Sequence, residues 1–370
     1  MRHLLATFLA IPLTAAIALV GVQPAYAATA HVGPGQSIQA AITAASPGDT
    51  IVVAAGTYRE NLTITKDRIK LRGAGAGRTI LKPATVPNPS PCTFSPSSVN
   101  GICSVGNTGT NIEGFTVAEF SGFGILFFQA ADLTVARSEA RNNGSYGISG
   151  FVLSGVRFLN NTARDNGEPG FYIGDSPNAN ATVTGNTAFN NGVGGPEGFG
   201  ILIRDASNGV VRNNNVWGNC AGIVFANTGA PGGVENWVAS GNRVSKNNGS
   251  CTGESGGPPP TSGIGIWLLG TNNVRVHHNA VNGNVPSGIT AASGGIVVSS
   301  SAALGGSLPT NNRVDGNSAH ENSVDIFWDE TGSNNTFKHN DCDRSQPAWI
   351  CSEGNDDEGD DSNGDNGHDD

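Results

Sequence analysis

Three short stretches in the last third of the chain place ionisable side chains on both sides of a single apolar residue. Arg275 and His277 flank Val276, Arg313 and Asp315 flank Val314, and Thr336 and Lys338 flank Phe337. Arg212 follows Val211 in an earlier stretch of the same kind. In an extended strand such flanking residues share one face, opposite the apolar residue. If successive stretches stack, Arg275 meets Arg313 and His277 meets Asp315 at one strand spacing. Two guanidiniums that close repel unless an anion lies between them, and a carboxylate ligand suits the planar fork of Arg. His277 is then expected to act as acid or base with Asp315 orienting it, while Lys338 helps to neutralise a bound carboxylate and so acidifies the neighbouring C–H. That chemistry suits an acidic sugar. A solvated face of mixed charge is the plainer reading of the same residues.

Two further sets share a register. Asp175 and Asp205 lie five residues after a recurring Gly, with Asn227 and Glu330 in the same place later. Two carboxylates about 5 Å apart fit a retaining glycosidase pair or, with backbone oxygens, a Ca²⁺ site. The turn residues that follow each Asp explain them more simply. Tyr172 and Trp267 belong to an outward apolar stripe with Leu126, Leu202, Val224, Val297 and Phe327. Such a stripe should not face water. It is expected to lie under the loops 192–199, 249–264 and 285–294; sugar-stacking platforms at Tyr172 and Trp267, or an oligomer face, are the alternatives. His278 and His339 share a column two units apart, which without further ligands does not make a metal site.

A repeat must position these residues. Gly followed by apolar residues recurs at Gly124, Gly147, Gly170, Gly200, Gly222, Gly265 and Gly295, with Asp325 in the last copy, at spacings of 23, 23, 30, 22, 43, 30 and 30. Late in most units an apolar residue is followed three positions on by Asn, as in Phe158/Asn161, Val183/Asn186, Val211/Asn214 and Val276/Asn279, with Ser138 in that place in the first unit. Asn242 fits with one extra residue before it. Five residues later stands a second Asn column: Asn166, Asn191, Asn219, Asn247, Asn284 and Asn322. Stacked amides can hydrogen-bond to one another, and Asn tolerates the left-handed backbone of a sharp corner. Each unit is therefore read as one coil of a parallel β-helix. Charged residues are only 14% of the chain, with 53 Gly and a single Met, which excludes a long-helix architecture.

The ends complete the plan. Residues 1–27 read as a secretory signal peptide: Arg2, an apolar run from Leu4 to Val22, and Ala25 and Ala27 at the cleavage site. Residues 28–106 hold a capping helix over Ser37–Ala45 and the first coils, residues 107–351 the repeats, and residues 352–370 an acidic, solvating tail. A role for that tail in Ca²⁺ binding is the alternative, though its Asp spacing does not match a Ca²⁺ loop. The six Cys fall in sequence-local pairs, Cys92 with Cys103, Cys220 with Cys251 and Cys342 with Cys351. In an exported chain they are expected to form disulfides, the second pinning the largest loop and the third, with Trp349, closing the last coil. The net charge of -10 resides almost wholly in the tail. No basic stripe or arm suggests a nucleic-acid partner.

The segment GQSIQAAITAASPGDTIVVAAGTYRENLTITKDRIKLRGAGAGRTIL, residues 35–81, resembles the opening of the pectin-lyase-like β-helix superfamily. It is most similar to the right-handed parallel β-helix repeat family, which includes NosD-like proteins and relatives of polysaccharide lyases, over about residues 35–345. The resemblance implies an all-β right-handed solenoid. It also implies an extracellular polysaccharide partner, and pectate or alginate lyase, polygalacturonase or uronan epimerase activity, or no catalysis. The G-H-G of polygalacturonases and the D-P-H-D of mannuronan epimerases are absent. The R-I-K at Arg68–Lys70 lies in the first coils, away from the place of the polygalacturonase motif. The combined expectation is a secreted, monomeric protein that binds or processes an anionic polysaccharide without a cofactor, with no membrane insertion of the mature chain. A non-catalytic exported scaffold or adhesion protein is the alternative.

Overall fold

The computed structural model describes residues 27–92, 98–255 and 257–352. The leader read at 1–27 therefore lies almost wholly outside the described residues, and so does the acidic tail. The chain winds through three parallel sheets in turn. Sheet A has 12 strands, from Thr29–Val32 to Thr336–Lys338. Sheet B has 11, from Gly56–Arg59 to Asp341–Cys342, and sheet C has 11, from Leu62–Ile64 to Ser345–Gln346. Each sheet sends alternate side chains into one shared core, where Ile125, Phe127, Val135, Phe158, Val276 and Phe337 are buried. The seven Gly-led copies and the Asp325-led last copy account for eight of the sheet C strands. Leu62–Ile64, Ile102–Val105 and Ser345–Gln346 complete it. Gly101 leads the second of these, but Cys103 and Ser104 replace the apolar residues that make the other copies legible.

The corners explain the polar repeat. Asn161, Asn186, Asn214, Asn242, Asn279 and Asn317 each donate from Nδ2 to Oδ1 of the next Asn at 2.8–3.1 Å. The second column, from Asn143 to Asn322, does the same at 2.9–3.1 Å. Each oxygen also accepts from the backbone N–H of the residue below, as Asn214 does from Asn186 at 2.8 Å. The left-handed residue is not the ladder Asn itself but the one before it, such as Asn160, Asn213, His278 and His339. The ladder Asn turns inward and is buried. Beside Asn242 there is no extra residue: Ala239, not Val238, points inward and pairs with Val211 and Val276.

The repeat Gly is dictated by the second ladder. A Cβ on Gly147 would stand 2.6 Å from the Gly170 carbonyl oxygen and 2.8 Å from Asn166 Nδ2. In the last copy, Asp325 ends the ladder. Its Oδ1 accepts from Asn322 Nδ2 at 3.0 Å, and its Oδ2 accepts the backbone N–H groups of Asp343 and Arg344.

Both ends are covered. Helix α1, Ile38–Ala44, is N-capped by Ser37 and buries Ile38 and Ile42. Helix α2, Trp349–Ser352, closes the other end, where Trp349 packs edge-on against Trp328 and Phe337. The three disulfides Cys92–Cys103, Cys220–Cys251 and Cys342–Cys351 form as the local pairing suggested. Among the described residues no helix is long and apolar enough to cross a membrane.

Candidate functional site

The outer face of sheet C carries a second apolar cluster, separate from the core, which includes Leu126, Tyr172, Leu202, Val224, Trp267 and Val297. The long connections from sheet B rise over it, as the apolar stripe required. The loop 248–262 is tied at its base by Cys220–Cys251 and by the antiparallel bridge of Cys251 with Thr261, and it carries Pro258 and Pro259 over the face. From the other side, the connection to sheet A contributes the 3-10 turn Ala302–Leu304. Between these walls runs a cleft of about 270 Å³. Its floor is Leu202, Val224, Trp267 and Leu269, and at one end stand Glu197 and Arg204.

Those two belong to a buried polar cluster. The Tyr146 hydroxyl donates to Glu197 Oε2 at 3.0 Å, and the Tyr146 and Tyr172 rings lie 4.8 Å apart between centres. The Arg204 guanidinium lies over the Tyr172 ring, 5.2 Å from its centre. Gly174, beneath Arg204 in the same column, leaves room for the Tyr172 hydroxyl, which would stand 1.9 Å from a Cβ there. That hydroxyl is buried and makes no hydrogen bond of standard geometry among the described residues. Glu168 accepts from Ser145 Oγ at 2.6 Å.

The electrostatics follow from burial. Burial pushes the Glu197 carboxyl above the ordinary carboxylate range, against the opposing pull of Arg204 and Tyr146. It raises Glu168 and both phenols in the same way. Burial opposes the charge of Arg204, but the acidic groups around it, Tyr172 and Tyr146 first, hold its pKa above the usual value. No carboxylate stands within 4.0 Å of that guanidinium among the described residues. A half-buried cation with no carboxylate in ion-pair contact is an arrangement a ligand carboxylate would complete.

The residues expected from the sequence are divided between two faces. On sheet A the register is as anticipated: Arg275 pairs with Arg313, His277 with Asp315, and Asp315 with Lys338, while Arg212 shares the His277 column two strands away. The contacts differ. Asp315 accepts from Arg275 Nε at 3.0 Å and Nη2 at 2.8 Å, and lies 3.2 Å from Arg313 Nε. It is thus the anion between the two guanidiniums, and its own pKa is lowered by the Arg275 hydrogen bonds. His277 does not hydrogen-bond to Asp315. Its Nδ1 lies 2.7 Å from His278 Nδ1, and burial, then Arg275, lowers its pKa. The corners that follow these strands, His278-Asn279 and Gly316-Asn317, have two residues each and build no wall.

Tyr172 and Trp267 lie on the sheet C face, but neither is an open platform. Tyr172 is sealed by Arg204, Tyr146 and Phe151. Trp267 is 3% exposed, lines the cleft floor and donates to Ser299 Oγ at 2.9 Å. Asp175 and Asp205 both have left-handed backbone. Asp205 is buried and binds the backbone N–H of Thr228 at 2.7 Å and the Thr228 hydroxyl, which is a turn role. Sequence reasoning missed Arg204, Glu197, Glu168 and Tyr146. Arg204 left one signal: it is the lone charge in an outward column otherwise occupied by Phe128, Phe151, Gly174, Ala226, Leu269 and Ser299. Glu197 sits in an inserted loop, where the repeat gives no register.

A family model described as "Right handed beta helix region" matches residues 57–196 and 195–303. The chain belongs to this right-handed β-helix family. The Azotobacter vinelandii mannuronan C-5 epimerase AlgE4 A-module shares the fold at 20% identity and a TM-score of 0.56, over 84% of this chain and 91% of that one. The AlgE6 A-module from the same organism shares it at 20% identity and 0.53, over 83% and 90%. The catalytic domain of a GH87 alpha-1,3-glucanase in complex with tetrasaccharides shares it at 14% and 0.53, over 87% and 68%. No curated protein matches the sequence.

Proposed function

We propose that this β-helix protein is exported and binds and processes an acidic polysaccharide in the sheet C cleft. The observation that carries the reading is Arg204: a half-buried guanidinium at the end of a cleft, with no carboxylate within 4.0 Å among the described residues. A uronic-acid carboxylate supplies the missing anion in bidentate geometry. Neutralising that carboxylate acidifies the adjacent C–H, the first requirement of both β-elimination and epimerisation. Glu197 keeps its proton to higher pH than an ordinary carboxyl group and so is suited to donate it. Relatives in fold that act on mannuronan and on an alpha-glucan fit a glycan ligand. The leader at 1–27 and three disulfides fit export.

The test is incubation of the purified protein with polygalacturonate, alginate and a neutral glucan. Absorbance near 235 nm reads an unsaturated product, NMR reads sugar stereochemistry, and calorimetry reads binding. Wild type is expected to bind a uronan, and Arg204→Gln to bind it at least tenfold more weakly with its melting temperature kept. Preference for the neutral glucan, or binding indifferent to Arg204, overturns the reading. Binding with an unchanged polymer makes the protein a binder and removes the processing step.

A further inference from the structure

We infer that the outer face of sheet A is a second, non-catalytic surface that holds a long acidic polysaccharide along the helix axis, apart from the sheet C cleft. The identity of the polymer rests on the function proposed above; the surface itself rests on charge. Strand pairing aligns Arg157, Arg212, Arg275, Arg313 and Lys338 in two neighbouring outward columns. Lys70 and Arg72 extend the same columns toward the N-terminal end. Seven of the chain's 20 Lys and Arg thus share one face of a molecule with net charge -10. From the strand of Lys70 to that of Lys338 is nine strand steps, about 40 Å at the usual spacing.

The two carboxylates in these columns offset only part of the charge. Glu113 is taken by Arg137, and Asp315 lies between Arg275 and Arg313. Arg157, Arg212 and Lys338 have no ion pair among the described residues and are exposed. Sheet B differs: its outward Arg141 and Arg164 both pair with Glu139. Of these cations only Arg275 and Arg313 stand opposite each other on neighbouring strands, where like charges destabilise a sheet unless bridged, and Asp315 bridges them; Arg157, Arg212 and Lys338 have no such structural partner. The face is bounded on one side by two-residue corners that build no wall, so it suits an extended chain rather than a single sugar. Among the described residues its two outward columns carry no Phe, Tyr or Trp on which nucleobases would stack. Steps of two strands separate Arg157, Arg212 and Arg275, roughly 10 Å each, a regular array for a polymer with a carboxylate on every unit.

The test compares long polygalacturonate with its trisaccharide on the full chain, measured by calorimetry at two salt concentrations. The variant is Arg157→Gln/Arg212→Gln/Lys338→Gln, three exposed positions remote from the core, with Arg204→Gln as the counterpart. The triple variant is expected to bind the polymer at least tenfold more weakly, with a flatter salt dependence, and to bind the trisaccharide as wild type does. Unchanged polymer affinity in the triple variant overturns the inference. So does a wild type that holds duplex DNA or anionic vesicles through this face but not the uronan. Loss of trisaccharide binding only in Arg204→Gln supports the cleft. A wild type that binds the polymer through sheet A but no trisaccharide keeps this surface and removes the cleft reading.

Discussion

Arg204 and Glu197 show how burial changes the charge balance of ordinary side chains. A charged hydrogen bond to a ligand is typically worth about 1.5–3 kcal/mol, so removing the guanidinium should cost tenfold or more in affinity, as the Arg204→Gln test reads. Glu197 makes a separate prediction about pH. Its folded pKa is raised by burial above the ordinary 4.5. Below that ordinary value the carboxyl is protonated in both folded and unfolded chains, and its contribution to stability is fully present. As pH rises toward the folded pKa, the unfolded chain ionises first and the contribution is lost. Wild type should therefore lose stability relative to Glu197→Gln as pH rises above about 4.5, measured by urea unfolding; parallel curves would remove the buried-carboxyl argument. If Glu197 donates a proton in the reaction, turnover should also fall as that carboxyl ionises.

At the scale of elements, the Asn ladders and the pinned loop do different work. Asn214 Oδ1 accepts from both the backbone N–H and Nδ2 of Asn186, and its own Nδ2 donates to Val183 and Asn242. Asn214→Ala strands buried donors on one side and an acceptor on the other, at roughly 1–3 kcal/mol per unsatisfied group. The expected result is a lower urea midpoint with the cleft still binding, because the ladder lies at the corner between sheets A and B. The Cys220–Cys251 bridge closes a 31-residue separation, roughly 3–4 kcal/mol in the chain-entropy account. It also holds the wall with Pro258 and Pro259 over the cleft. Cys220→Ser/Cys251→Ser should weaken uronan binding as well as lower the melting temperature. A stability loss with binding intact would show that the loop keeps its place without the bridge.

For the whole molecule, the open edges of the first and last coils are the weak points of a solenoid. Helix α1 covers one with Ile38 and Ile42, and the Glu60 carboxylate accepts from Ile38 N and Gln39 N at 2.7 and 3.1 Å to anchor it. Ile42→Asp should release this cap, and light scattering should then report association through the uncovered edge. A monomeric, fully stable variant would show that the cap is dispensable. The same scale separates the two faces: walls and a cleft on sheet C, an open cationic plane on sheet A.

The repeat was legible because a coil imposes one register on every turn. An Asn column, a Gly forbidden a side chain by its neighbour, and an inward apolar residue each recur at fixed spacing, so the strand pairs Arg275/Arg313 and His277/Asp315 followed from sequence alone. The pairing of the six Cys was legible for the same local reason. Side-chain partnership was not. Register places His277 beside Asp315, but whether Asp315 turns to His277 or to two guanidiniums depends on reach and charge in three dimensions, and the stronger ionic partners won. The cleft lay further still from the sequence. Glu197, Pro258 and Leu304 come from insertions of unequal length that obey no repeat, and only folding them over sheet C buries Arg204 and Glu197 enough to change what they can do. Periodic residues report the scaffold because the scaffold is periodic; the site is assembled from what breaks the period.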